Sequence, residues 1–184
     1  ALAYDPPVLL MDEPLSALDK KLREEIQVEI RRIHQTTGVT ILYVTHDQEE
    51  ALRLSDRIAV FNHGRIEQVG TGRELYANPS TRFVAGFVGD SNFLRVQSVD
   101  DRRGGAATIT LPDGTRLADV PFHASTQGDA GRLELMVRPQ AIRFAADGQG
   151  LRVTVKDMTF LGDTISALLT AGWGQRQPAV DDRL

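Results

Sequence analysis

The stretch Val8-Leu9-Leu10-Met11-Asp12-Glu13 decides the fold of the first half of the chain. It is a short apolar run, preceded by Pro7, that ends in two consecutive carboxylates. Such a run predicts a strand buried on both faces, as in a parallel β-sheet. In open α/β sheets, ligands bind beyond the carboxyl ends of the strands. Asp12 and Glu13 are therefore candidates for a ligand site at the end of this strand.

The residues that follow alternate between helical and strand patterns, which predicts an α/β fold for the first half. From about Asp19 to Thr37, apolar residues recur at helical spacing, and Gly38 supplies a stop. Val39 to Val44 is an apolar, β-branched strand. Further predicted elements are a helix from Gln48 to Leu54, a hairpin of Arg57 to Phe61 with Arg65 to Val69, a short helix capped by Thr71 and Glu74, and a helix from Arg82 to Val88.

The second half has a different pattern, and we place a domain boundary near Asp90, with residues 1–90 and 91–184 as the two domains. Short β-type runs alternate there with turn signals, which predicts a small all-β sandwich or barrel. The strand candidates are Phe93 to Val99, Ala107 to Leu111, Leu133 to Val137, Leu151 to Met158 and Thr164 to Leu169. Gln175 to Leu184 shows no clear closing strand, so we expect the last repeat of this domain to be truncated.

Composition excludes several classes of function. The net charge of -4 argues against broad nucleic-acid binding, which requires clustered Lys and Arg. The absence of Cys excludes disulfides and thiolate metal sites. No apolar run approaches the roughly 20 residues that span a bilayer. The chain begins with Ala1 rather than Met, and we interpret Ala1 as an internal point of a longer protein.

A second candidate site residue follows the next predicted strand, in Thr45-His46-Asp47. Adjacent parallel strands would place His46 and Glu13 along one edge of the sheet. Asp12 could hold Mg²⁺ there, and Glu13 could orient or deprotonate a water that attacks a phosphoryl group. His46 could donate a hydrogen bond to a phosphate. The alternative is a strand followed by a polar turn, with a polar loop histidine, which is how we interpret His34, His63 and His123.

Two segments carry a family resemblance. Asp12-Glu13-Pro14-Leu15-Ser16-Ala17-Leu18-Asp19 resembles the Walker B segment and D-loop of ABC transporter ATPases. Val44-Thr45-His46-Asp47-Gln48-Glu49-Glu50-Ala51 resembles their H-loop. Ser55-Asp56-Arg57-Ile58 and Gly64-Arg65-Ile66 match in the same order, so the resemblance covers residues 1 to about 90. It implies that this half is the C-terminal part of a P-loop NTPase of the ABC ATPase type.

The resemblance also implies roles for individual residues, with ATP and Mg²⁺ as cofactors. Asp12 would support Mg²⁺ through water, and Glu13 would be the general base or water-orienting carboxylate. His46 would contact the γ-phosphate. Asp19 would reach across a nucleotide-sandwiched dimer. Ser16 belongs to the D-loop with a lesser role, and a polar residue at the start of a helix is its alternative interpretation.

The phosphate-binding parts of that family are missing from the sequence. It contains no G-x-x-x-x-G-K-[ST] motif, no Q-loop and no LSGGQ signature. We therefore expect that the chain starts inside the catalytic domain and is inactive by itself.

The second half resembles the β-rich TOBE domain, an OB-like barrel associated with regulation or substrate sensing. The resemblance lies in Val137-Arg138-Pro139 and in Phe160-Leu161-Gly162-Asp163. Gln140 stands where the family usually has an acidic residue. A β appendage without a ligand site is the alternative, and we interpret Trp173 as a core residue.

Together the two resemblances imply the ATPase subunit of an ABC importer. Two copies would sandwich two ATP molecules and drive membrane permease subunits from the cytoplasmic face of the inner membrane, with a solute-binding protein as an indirect partner. The run from Phe83 to Gly89 and Arg65-Ile66-Glu67-Gln68 look most like the spermidine/putrescine group. The alternatives are a non-transport ABC ATPase and a non-catalytic regulatory or interaction module.

Overall fold

The computed structural model describes residues 6–122, 133–145, 150–172 and 176–183, the last range as backbone only. His123 and Trp173 lie outside the described residues. The chain divides into two compact units, Ala1–Gly89 and Asp90–Leu184. That each unit is a domain that folds independently remains a prediction.

The described residues of the first unit, from Pro6 onward, form two pairs of strands and four helices. In chain order the elements are β1 (Val8–Asp12), α1 (Lys20–Thr37), β2 (Thr40–Val44), α2 (Gln48–Leu54), β3 (Ile58–Asn62), β4 (Arg65–Gly70), α3 (Gly72–Ala77) and α4 (Arg82–Phe87). β1 and β2 pair in parallel, with α1 as the crossover between them. β3 and β4 form an antiparallel hairpin. The α/β alternation and the parallel pair are as the sequence predicts.

The ends of α1 follow from two capping residues. The Asp19 carboxylate accepts a hydrogen bond from the Leu22 amide at 3.0 Å, which satisfies one of the free N–H groups of the first turn. At the other end, Gly38 takes a left-handed conformation with φ of 67° and donates to the His34 carbonyl at 2.8 Å. The predicted helix bounds are confirmed.

The prediction that β1 is buried on both faces is wrong for the described residues. Leu9 is 9% exposed, whereas Val8 and Leu10 are 48% and 71% exposed. Leu42 in β2 is 60% exposed on the same side. Successive side chains of a strand point to opposite faces, and the described residues cover only one face of this two-stranded sheet.

A small apolar core lies between the β3–β4 hairpin and the helices α3 and α4 of the first unit. It contains Ile58, Val60, Leu75, Val84 and Val88, with Ala51 and Phe87 packed against it. The predicted capping box of α3 is present, since Thr71 and Glu74 exchange side-chain and backbone hydrogen bonds. The predicted hairpin turns through His63 and Gly64, both with positive φ, a geometry that matches the twist of the flanking strands.

The described residues of the second unit are mostly strands, and Leu94, Val96, Ile109 and Leu111 form an apolar core among them. The strands are β5 (Asn92–Arg95), β6 (Ser98–Arg103), β7 (Ala106–Thr110), β8 (Arg116–Pro121), β9 (Glu134–Val137), β10 (Val153–Phe160), β11 (Thr164–Ala171) and β12 (Arg176–Arg183), and a 3-10 helix spans Pro139–Ala141. β5 pairs with β9, and two three-stranded sheets have the orders β6-β7-β8 and β10-β11-β12.

The single strand predicted from Phe93 to Val99 is two strands, because the chain changes partner in its middle. The Val96 amide donates to the Leu133 carbonyl beside β9, while the next amide, Gln97, donates to Thr110 of β7. β8 was not predicted, because an extra residue interrupts its own alternation. Val120 pairs with Ala107 and Leu117 pairs with Ile109, so three steps along β8 oppose two along β7, and Asp119 between them has φ of 55°.

A strand is present where the sequence shows no clear closing strand, whereas the truncation of the last repeat remains a prediction. β12 is present and pairs antiparallel with β11, from Arg183 opposite Thr164 to Arg176 opposite Thr170. Its sequence contains Pro178, which removes a backbone donor and hides the strand pattern. A proline is tolerated there because β12 lies at the edge of its sheet and the pairing with β11 contains a register shift.

Candidate functional site

The candidate site forms where β1 and β2 end side by side. Asp12 is opposite Val44, and the Glu13 amide donates to the Val44 carbonyl at 2.9 Å, which continues the pairing by one residue. Glu13 has φ of 43°, a left-handed conformation that is uncommon outside glycine. This backbone conformation turns the chain out of the strand at Glu13.

Glu13 and His46 meet, as the strand pairing predicts. His46 Nδ1 lies 3.0 Å from Glu13 Oε1. The two side chains remain accessible, with 75% of His46 and 45% of Glu13 exposed. The hydrogen bond to Glu13, followed by the charge of that carboxylate, raises the pKa of His46 above its ordinary value. The contact therefore favours an imidazolium that donates to a carboxylate.

The other predicted site residues have different surroundings. Asp12 is the exposed last residue of β1. Ser16 lies beside Glu13, since its hydroxyl donates to the Glu13 carbonyl at 3.0 Å. Asp19 caps α1, so Asp19, rather than Ser16, is the polar residue at the helix start. The roles of these residues in catalysis remain predictions.

The described residues around this contact form one open cleft, with about 260 Å³ of empty space that is continuous with solvent. It is lined by Glu13, Ser16, Arg23, Thr45, His46, Asp47 and Glu50. Glu13, Ser16 and His46 thus come together, whereas Asp12 and Asp19 do not line the cleft.

A buried carboxylate at the base of the cleft was missed by sequence reasoning. Glu50 is 3% exposed and accepts hydrogen bonds from the hydroxyls of Tyr43 and Thr45, both at 2.9 Å. Burial, and then the hydrogen bond to Glu50, raise the pKa of Tyr43, so Tyr43 stays a neutral donor at physiological pH. Arg23 of α1 contacts Glu50 and Asp47.

The sequence around Asp47 and Glu50 contains only a weak signal for a buried carboxylate. Asp47 is the N-cap of α2, and its carboxylate accepts from the amides of Glu49 and Glu50. A Glu three residues after an N-cap suggests an exposed capping box. In a capping box the Asp47 amide would donate to the Glu50 side chain. Here it donates to the Thr45 hydroxyl, and the Glu50 side chain is buried.

The described residues contain no group of three or more His, Asp or Glu side chains that could hold a metal ion. A cation at this site would therefore have to keep most of its ligands as water or receive them from a substrate. Mg²⁺ commonly binds proteins in this way, through one or two carboxylates together with waters and phosphates.

Comparison with known proteins gives a consistent result for both units. Residues 135–183 match the family described as TOBE domain. The spermidine/putrescine import ATP-binding protein PotA of Frankia alni is 47% identical over 88% of this chain and 37% of its own length. The protein of the same name from Pseudomonas fluorescens is 42% identical over 96% of the chain and 47% of its length. An uncharacterized ABC transporter ATP-binding protein, YdcT of Escherichia coli, is 42% identical over 94% of this chain and 51% of its own length.

The chain therefore belongs to the family of ABC importer ATP-binding proteins that carry a TOBE domain. It spans between 37% and 51% of the length of these three relatives. Among the described residues, no helix combines the length and apolar character needed to cross a membrane.

Proposed function

We propose that the protein is the ATP-hydrolysing subunit of an ABC importer, and that this chain supplies the residues that act on the attacking water and the γ-phosphate. The observation that carries the proposal is the 3.0 Å contact between Glu13 and His46 at the ends of two parallel strands. It falls within the segments that resemble Walker B and the H-loop, in a chain whose relatives are named ATP-binding proteins.

In the proposed reaction, Glu13 orients the attacking water and accepts its proton as the water oxygen bonds to the γ-phosphorus. The bond from that phosphorus to the β-phosphate oxygen breaks, which gives ADP and inorganic phosphate. His46 holds Glu13 through Nδ1, and its other ring nitrogen remains for donation to a γ-phosphate oxygen, where charge develops. The exposure of both side chains leaves room for a substrate.

Asp12 is the residue that fits Mg²⁺. Its carboxylate is exposed at the end of β1, one residue before Glu13. An ion held through water needs one such carboxylate rather than a cage of protein ligands, in keeping with the ligands available among the described residues. When bound, Mg²⁺ would offset the negative charge of the phosphates.

The finer parts of the proposal concern assembly and cargo. We place the first unit in a P-loop NTPase domain and the second in an OB-like TOBE barrel. Two subunits would sandwich ATP, with Asp19 and the D-loop residue Ser16 facing the other copy. The complex would sit peripherally on the cytoplasmic face of the membrane with permease subunits and a solute-binding protein. The relatives' names, spermidine/putrescine import ATP-binding protein, support a polyamine as cargo.

The test uses the full-length protein and measures ATP turnover and ATP affinity separately. Glu13→Gln and His46→Ala should each lower turnover by about 10²-fold or more while ATP affinity stays within a few-fold of wild type, because both groups act in the transition state. His63→Ala, in the turn of the β3–β4 hairpin, is the matched control and should keep normal turnover. Normal turnover in both site variants, or equal losses of affinity and turnover, would contradict the proposed roles.

We also propose that residues 1–184 alone neither bind MgATP tightly nor hydrolyse it. In this class, phosphate affinity comes from a Gly-rich loop whose amides surround the phosphates, together with a Lys, and this sequence has no such motif. Calorimetry with MgATP and a phosphate-release assay would show the result. Micromolar affinity or sustained turnover by this chain would contradict the prediction.

A further inference from the structure

One guanidinium connects the two loops that form the cleft. Arg23 lies in the first turn of α1 and donates through Nη2 to the carbonyl of Leu18, in the segment that follows Glu13, at 3.1 Å. Through Nη1 it donates to Asp47, in the segment that carries His46, at 3.2 Å. Arginine presents several donors in a rigid plane, so a single side chain can fix the separation of two backbone segments.

The third partner of Arg23 is the buried carboxylate of Glu50. Arg23 Nε lies 3.7 Å from Glu50 Oε1, which is an ion pair but too long for a hydrogen bond. The other carboxylate oxygen of Glu50 accepts from Tyr43 and Thr45. A charge as deeply buried as that of Glu50 is tolerated only when it is paired and hydrogen-bonded. We call Arg23, Tyr43, Thr45, Asp47 and Glu50 the Arg23 cluster.

The contact between Glu13 and His46, which lies in the same cleft as the Arg23 cluster, is weak by itself. Exposed ion pairs contribute little, because solvent screens them and ordering two side chains costs entropy. Glu13 and His46 are such a pair, yet they lie within hydrogen-bond distance. Glu13 is five residues before Leu18 in the chain, and His46 is next to Asp47. The two residues that Arg23 holds are therefore in the same loops as the two residues that meet.

We propose that Arg23 and Glu50 are positioning residues. Their partly buried contacts hold the segment from Glu13 to Leu18 against the segment from Thr45 to Asp47, and so keep His46 at hydrogen-bond distance from Glu13. The consequence for hydrolysis rests on the proposed function. The positioning itself is a property of the folded chain without nucleotide.

The test measures the ¹⁵N chemical shift of His46 Nδ1 in histidine-labelled chain at one fixed pH, without nucleotide. Glu13→Ala gives the reference shift for His46 without its partner. In Arg23→Gln and in Glu50→Gln, the His46 shift should move most of the way to that reference. The shifts of His34 and His63 should stay at their wild-type values, because His34 lies in the last turn of α1 and His63 lies in the turn between β3 and β4, outside both loops.

Arg31→Gln is the matched control. Arg31 also lies on α1 and also ties it to α2, through a hydrogen bond to the Arg53 carbonyl, which lies in the last turn of α2 and belongs to neither loop. This variant should keep the wild-type His46 shift even if it lowers the melting temperature. Arg23→Lys should not restore the His46 shift, because an ammonium cannot reach Leu18, Asp47 and Glu50 at once.

The proposal is overturned if Arg23→Gln and Glu50→Gln fold, by circular dichroism, and keep the wild-type His46 shift. It is also overturned if Arg31→Gln moves that shift as far as they do, or if Arg23→Lys restores it fully. If Arg23→Gln does not fold, Glu50→Gln decides, since its amide oxygen can still accept from Tyr43. Failure here leaves the hydrolysis proposal standing, because no nucleotide is involved.

Discussion

Two ionic contacts in the same cleft differ in how they meet solvent. The Glu13–His46 contact is short, at 3.0 Å, but its side chains are 45% and 75% exposed. The Arg23–Glu50 contact is longer, at 3.7 Å, with side chains 29% and 4% exposed. Distance alone would rank the first contact as the stronger. Solvent reverses that order, because screening weakens an exposed pair and a buried charge that loses its partner is costly.

The difference assigns separate tasks to the two contacts. The exposed pair is open to a substrate, and its atoms can exchange partners during a reaction. The buried pair cannot exchange partners without leaving the Glu50 carboxylate buried and unpaired, which is costly, so it fixes geometry. The predictions that follow test this contrast through stability and titration.

The largest effect is expected when the buried carboxylate is removed. Glu50→Ala should lower the free energy of unfolding by about 3–5 kcal/mol, because Arg23 and two hydroxyls lose their partner. Urea denaturation measures the change. The matched control is Glu49→Ala on the preceding residue of α2, whose side chain is 76% exposed and whose loss should cost at most about 0.5 kcal/mol. If the two substitutions lowered the free energy of unfolding equally, the buried carboxylate would contribute no more to stability than the exposed one, which would contradict the prediction.

A smaller loss is expected from Tyr43→Phe, which removes one of the two hydroxyl donors to Glu50. A hydrogen bond to a charged group contributes about 1.5–3 kcal/mol, and the remaining Thr45 donor should keep the cost near the low end. The same substitution in the Glu50→Ala background should cost much less, because the acceptor is already gone. Additive effects in this double-mutant cycle would show that Tyr43 acts by packing rather than through Glu50.

The smallest effect on stability is expected at the exposed contact. Because the folded-state pKa of His46 is raised, chiefly by its hydrogen bond to Glu13, the contact stabilises the fold below the ordinary histidine pKa of about 6.5. That contribution is lost as pH rises through the folded pKa. NMR titration should give a raised pKa for His46 that falls toward the ordinary value in Glu13→Gln. A pKa at or below the ordinary value in the wild-type chain would show that the pair does not form in solution.

Sequence reasoning recovered much of the first unit, because its signals are local. The bounds of α1 depend on Asp19 and Gly38 at its ends, and the capping box of α3 lies within a few residues of chain. The meeting of Glu13 and His46 followed from one general property of parallel strands, that their carboxyl ends lie side by side. Sequence reasoning was less successful in the second unit, where pairing with distant strands decides where a strand begins and ends.

By itself, the sequence determined the order of helices and strands in the first unit, the family and the two residues that meet at the strand ends. These depend on periodicity, caps and short motifs, in which the interacting residues are close in the chain. Only the tertiary structure decided that Glu50 is buried, that Arg23 reaches Asp47 across 24 residues of sequence, and that β12 pairs with β11. Burial and long-range pairing depend on groups that come together only when the chain folds, so no local pattern carries them.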